Sequence, residues 1–187
     1  GSIENENEKK WKKKDKKGDF NKKKKINKEK IIRKGVNLKK GKLKCIIEEI
    51  DNIPMKVEVR VLAMKYKIPV IMITDNGDGV VLHVERYDLG HNKIFDKDLN
   101  FWKKELSQPI SMPRAGQIIM EYIVGVKNVD KKMITSVKRV LNKELISWSQ
   151  LGSAAILGGV VATVALKQVI LGIKKDKSTT KHIHVLE

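Results

Sequence analysis

The chain has 187 residues, with 40 Lys and Arg against 22 Asp and Glu, a formal net charge of +18. That length suits one domain with a sizeable core. A single cysteine excludes an internal disulfide framework and points to a reducing, cytoplasmic setting. The opening residues, Gly-Ser followed by acids, lysines and asparagines, do not read as a secretory signal.

The charge is unevenly spread. Residues 1–45 carry 19 Lys/Arg and 6 Asp/Glu, a net of +13, while residues 46–187 carry 21 and 16, a net of +5. Residues 1–40 read as a Lys/Asn-rich, disordered low-complexity segment, because Ile3, Trp11, Phe20 and Ile26 are too few to offset the entropy of ordering it. Residues 41–187 read as the folded domain. A polybasic stretch such as residues 9–44 could engage nucleic acid or an anionic membrane. A solvated linker is the plainer reading, since base-stacking aromatics and an RNA-binding signature are both missing from it.

In chain order, Leu43 to Ile47 is a short apolar run that ends in Glu48-Glu49-Ile50-Asp51-Asn52, the pattern of a buried strand opening into a loop. Residues 53–66 fit two periods: Met55, Val57, Val59 and Val61 alternate as in a strand, and Ile53, Val57, Val61 and Met64 share one helical face. Ile68 to Thr74 is a second apolar run, with Pro69 at its start where a missing N–H is harmless. Asn76-Gly77 then separates it from Val80–Val84, a hairpin signal because both residues tolerate positive φ.

The second half reads helical. Ser111 and Pro113 suit a helix start, and Gln117–Val124 is an apolar stretch stopped by Gly125. Asp130 can cap a helix carrying Met133, Val137, Val140, Leu141 and Leu145 at core spacing. A further helix is expected from about Gln150 to Leu171, stopped by Gly172, and a short strand over Ile183–Leu186 closes the chain. This order indicates an α/β fold.

Leu145–Leu166 is uncharged over 22 residues, long enough to span a bilayer. Three of the 22 are Gly and five are Ser, Thr or Gln, leaving 14 apolar residues, many of them Ala. Gly152, Ala155 and Gly159, or Gly158 and Ala162, make small-residue faces that also serve tight packing on a sheet or a dimer partner. The soluble reading is preferred.

Most chemical motifs fail on spacing. Gly35 to Lys42 resembles a phosphate-binding loop, but five residues separate its glycines instead of four, and Leu43 replaces the Ser/Thr magnesium ligand. Gly77-Asp78-Gly79 lacks the third glycine of a dinucleotide fingerprint, and Asp75 to Asp78 misses calcium-loop spacing. His182, His184, His83 and His91 read as surface residues rather than zinc ligands. Cys45, within an apolar run, reads as inert.

Two carboxylates remain. Asp51 and Asp75 each follow an apolar strand-like run, and in parallel α/β sheets ligands bind beyond the carboxyl ends of the strands. A carboxylate there can hold magnesium against substrate phosphates. If residues 53–66 are helical, Lys56 and Arg60 share one face at i and i+4, near Asp51 and able to meet phosphate charge. As plain structure, Asp51 would cap the helix and Lys56 and Arg60 would form a solvated edge.

The segment Ile47 to Asn52, then Lys56 and Arg60, then Ile68 to Met72, Asp75 and Val84-Glu85-Arg86-Tyr87-Asp88, resembles the C-terminal half of ThiF/MoeB/HesA-type proteins. These are the ubiquitin-activating-enzyme-like adenylyltransferases. Ser147 to Ser153 followed by Leu157-Gly158-Gly159 is similar to a tryptophan-proline-glutamine-leucine signature of one bacterial branch, with Ser149 where proline is common. The resemblance covers roughly residues 43–187, and more faintly 26–42.

The resemblance implies the C-terminal half of an incomplete Rossmann-like sheet, using Mg-ATP to adenylate a carboxyl terminus, typically of a ubiquitin-like carrier protein, commonly as a homodimer. The family's catalytic and magnesium-associated aspartate falls on Asp51. Asn52 shares that position, and Lys56, Arg60 and Asp75 would complete the cofactor-binding set. The family's Gly-x-Gly-x-x-Gly half and reactive cysteine have no counterpart in the sequence, since Cys45 precedes Asp51. ATP and magnesium would therefore bind only with a complementing half. The rival expectation is a non-catalytic dimerisation or protein-interaction module.

Overall fold

The computed structural model describes residues 43–129, 131–146 and 151–184. The Lys/Asn-rich segment, the Gly35–Lys42 loop, Asp130 and Ser147–Gln150 lie outside the described residues. Residues Lys44–Glu187 group as one compact unit.

The unit begins with a β-α-β crossover. Strand β1 (Ile46–Glu48) leads to helix α1 (Ile53–Tyr66), then to β2 (Val70–Asn76), which pairs parallel to β1 with Ile47 opposite Ile71. The ambiguity of residues 53–66 resolves as helix. Asn52 Oδ1 accepts the Met55 N–H at 3.0 Å, and Pro54 sits in the first turn, where its missing donor costs nothing. Ile53, Val57, Arg60 and Ala63 are buried at helical spacing, and Lys67 ends the helix in a left-handed conformation, φ 53°.

β2 returns as β3 (Gly79–Glu85) through a two-residue turn, with Gly77 at φ 66° and Asn76 opposite Gly79. That tight turn makes the sheet mixed instead of parallel throughout, because a parallel return needs a long crossover. β4 (Ser178–Ile183) pairs antiparallel to β3, giving the order β1-β2-β3-β4. It begins five residues before the expected Ile183–Leu186 strand, its β-branched Thr179 and Thr180 pairing with Val84 and His83. Gly79 is obligatory here: a Cβ would collide with the Ile183 carbonyl of β4.

Helix α2 (Leu99–Glu105) is capped by Asp98, and α3 (Met112–Ile118) by Ser111 as expected. α3 continues into a π-turn over Ile119–Val124 that stops at Gly125, φ 82°. Helix α4 (Lys131–Leu141) places Met133, Val137 and Val140 only half-buried, so its apolar stripe is less of a core face than the spacing implies. The uncharged 22-residue stretch is not one helix. Residues 142–146 turn, and α5 (Gly152–Ile170) starts seven residues into it.

Both faces of the sheet are covered, and strand alternation decides which side chain goes where. Ile71, Ile73, Val80, Leu82 and Val84 meet Ala162, Ala165 and Val169 of α5. Met72 faces the other way, into a core of Ile53, Val57, Ile94, Phe95, Trp102, Ile118 and Ile123. α5 is long and apolar enough to cross a membrane by length and composition. Its inner face is spent on the sheet, where a Cβ on Gly158 would stand 3.1 Å from Ile73 Cγ2.

Candidate functional site

The carboxyl ends of β1 and β2 lie side by side because those strands are parallel and in register. The β1–α1 loop leaves this end with Asp51 and Asn52 exposed. Asn52, not Asp51, caps α1, so the Asp51 carboxylate is not used as the helix cap.

Beneath that loop the structure builds a buried ion network. Glu48, at the end of β1, faces the same side as Met72 and α1. Its Oε1 accepts from Lys56 Nζ at 2.9 Å and from the Ile50 N–H at 2.6 Å, and its Oε2 accepts from Arg60 Nη1 at 2.6 Å. Arg60 Nε then donates to Glu85 Oε2 at 2.6 Å, and Glu85 Oε1 accepts the Phe95 N–H at 3.1 Å. The guanidinium carbon stands 3.9 Å from the centroid of the Phe95 ring.

The Arg60 side chain is fully buried. Its guanidinium spans β2 to join carboxylates from β1 and β3, and it is not on a solvated edge. Burial alone would raise the Glu48 pKa, but the Arg60 charge and the hydrogen bonds from Lys56 and Arg60 outweigh that and hold it below the usual carboxylate range. Arg60 is pushed up, because Glu85 and Glu48 outweigh its desolvation. Lys56 is the network's link to the surface, its side chain 11% exposed.

Phe95 closes this face at a conformational cost. Phe95 and Asp96 both adopt positive φ, 47° and 59°, in a turn closed by reciprocal Ile94–Lys97 backbone bonds. The Glu85 bond to the Phe95 N–H helps to hold that turn in place.

Asp75 lies on the opposite face of β2. It shares strand parity with Ile71 and Ile73, and its Oδ1 would be 3.9 Å from a Cβ on Gly158. Burial raises its pKa, and burial also raises that of Glu49, whose Oε1 accepts the Ile73 N–H at 3.3 Å. The structure therefore brings Lys56 and Arg60 together through Glu48, and leaves Asp75 across the sheet from both.

The residues that sequence reasoning passed over are Glu48 and Glu85, the two partners of Arg60. A signal existed, since Arg60 falls three residues after Val57 and seven after Ile53 on the buried stripe of α1, and a cation there needs carboxylates. His83 corrects the expectation of surface histidines. It is buried at 6% exposure on β3, its ring edge-on to Phe95, and burial lowers its pKa, so the neutral imidazole is favoured. Cys45 agrees with an inert reading, since burial raises its thiol to about 11.

A scan against protein-family models, a search of curated proteins and a search of solved structures find no match to this chain.

Proposed function

We propose that this chain is the C-terminal half of a ThiF-type, Rossmann-like adenylyltransferase fold, completed by a nucleotide-binding half that it does not itself carry. The complete assembly would use Mg-ATP to activate a carboxyl terminus, as of a ubiquitin-like carrier. The observation that carries this reading is the β1–Asp51–Asn52–α1 arrangement: an exposed carboxylate at the carboxyl end of a parallel strand pair, just before a helix capped by Asn52.

The residues present fit the group in part. Among the described residues no group of three His, Cys, Asp or Glu is placed to hold a metal ion. Magnesium held by one carboxylate and the substrate phosphates needs no such cage, and it would supply charge neutralisation at the phosphates. Asp51 is free to be that carboxylate. Asn52 fixes the loop through its cap bond, and Lys56 is left out of the ligand set because Glu48 already holds its Nζ at 2.9 Å. Arg60 is left out of this ligand set because its guanidinium is already spanned by Glu48 and Glu85. Asp75 is left out because it stands on the other face of β2. The adenylation step would then be promoted by positioning the attacking carboxylate in line with the α-phosphate.

With a complementing half present, Asp51→Ala should reduce ATP–pyrophosphate exchange to background. Unchanged exchange removes Asp51 from the mechanism. Titration calorimetry of the chain with Mg-ATP, alone and with that half, sets this reading against a non-catalytic interaction module, which binds no nucleotide in either case. The module has its own support in the long uncovered outer face of α5, where Ile156, Val160 and Val164 are each more than half exposed.

A further inference from the structure

α4 is an amphipathic helix that the sheet does not bury. Met133, Ile134, Val137 and Val140 fall within about a third of the helix circumference, yet all four are only half-buried. Among the described residues, Ile134, Val137 and Val140 belong to none of the clusters packed on the sheet. The other side of α4 carries Thr135, Lys138 and Arg139, all exposed. From Lys131 to Lys143 the sequence holds five cations and no carboxylate. The acid that follows, Glu144, meets Arg139 at 3.3 Å with both side chains about half exposed, a surface pair that an outside anion can replace at little cost.

From this pattern we infer that α4 docks in the plane of an anionic lipid surface, with its apolar stripe at the acyl-chain boundary and its cations among the headgroups. Three observations choose that occupant. Stripe and cations share one helix, and the boundary between hydrocarbon and anionic headgroups takes both at once. The charge is of one sign from end to end, so it complements a negative surface along the whole helix, each cation adding to the attraction. A nucleic acid would meet the cations but leave Ile134, Val137 and Val140 in water, because stacking on bases needs aromatic rings and α4 has none. Docking in the plane also leaves both faces of the sheet covered as they are, since the stripe is drawn from neither core.

The docking is independent of the adenylyltransferase reading. Flotation of the full chain with vesicles of phosphatidylcholine mixed with phosphatidylglycerol, and of phosphatidylcholine alone, is the test; binding to the mixed vesicles only, weakened by salt, is expected. Lys138→Gln with Arg139→Gln removes two exposed cations and should weaken that binding by about tenfold or more. Val137→Ser keeps every charge and should weaken it by about fivefold or more, while leaving binding to heparin unchanged. All three positions lie outside the cores, so far-ultraviolet circular dichroism should stay the same. A wild-type chain that ignores the mixed vesicles, or binds both kinds equally, overturns the inference. Flotation that both variants leave unchanged overturns it too, and would assign the binding to residues 9–44 or to α5. Sensitivity to the charge variant alone would mean a contact without insertion, and heparin binding in place of vesicle binding would assign α4 to nucleic acid; each result overturns it as well.

Discussion

The two faces of the sheet are stabilised in opposite ways. On the α1 face a fully buried arginine is fixed between two carboxylates and stacked on an aromatic ring. On the α5 face small residues let a helix backbone come close, with aliphatic side chains beneath it. A buried ion network tolerates no missing partner, because each charge was desolvated on the assumption of the other. A close-packed small-residue face tolerates no added volume. The α1 face is therefore sensitive to deletion and the α5 face to insertion.

The largest effect should come from removing the hub of the network. Arg60→Met leaves Glu48 and Glu85 buried without their shared cation and should cost about 3–5 kcal/mol in urea denaturation. Adding Glu48→Gln and Glu85→Gln should recover a large part of that loss. A loss under about 1 kcal/mol, within the range of a surface pair, would mean that the network is not buried in solution.

Adjacent glycines of α5 sharpen the contrast. Gly158→Val drives side-chain atoms into Ile73 and should destabilise by about 1–3 kcal/mol. Gly159→Ala, one residue on but facing outward, should stabilise by up to about 1 kcal/mol through helix propensity when both are measured in dilute protein. Equal effects at the two positions would contradict the packing of α5 on the sheet.

Acid should act first on the α1 face. The His83 pKa is lowered in the fold, so the stability it contributes is present above the unfolded value of 6.5 and is lost as the pH falls below it. Glu48 is also lowered, so its contribution holds above 4.5 and is lost as the pH falls through its folded pKa. Glu49 and Asp75, raised, act with the opposite sign and offset part of the second loss. Thermal melts should therefore show stability falling in two stages, and His83→Gln should remove the earlier one. Stability that stays level from pH 7 down to the carboxylate range would refute the placement of His83.

The smallest effect should be a gain. Asp96 is exposed and held at φ 59°, so Asp96→Gly should relieve left-handed strain and stabilise by about 0.5–1 kcal/mol. Destabilisation instead would mean that the Asp96 carboxylate makes a contact worth more than the strain.

Much of the α/β architecture was legible. Asn76-Gly77 announced the hairpin, Ser111 and Pro113 the start of α3, Gly125 and Gly172 the ends of helical segments. Residues 53–66 were not legible, since valines at 57, 59 and 61 satisfy both periods. What settled them was the need to carry the chain from the end of β1 to the start of a parallel neighbour. The site was half legible. Asp51 is exposed after β1, but Lys56 is tied to Glu48, and Arg60 carries the same charge whether it meets solvent, a phosphate or two carboxylates.

Local chemistry fixed the turns, caps and apolar runs, because backbone dihedrals and orphan N–H groups depend on a residue and its near neighbours. Only the folded arrangement decided that Arg60 lies between Glu48 and Glu85, 12 and 25 residues away. It also decided that Asp75 faces away from Lys56, and that one side of α5 is consumed by the sheet while the other stays bare. Desolvation and close packing are properties of residues brought together by the whole chain, and they are written only when the sheet has closed around them.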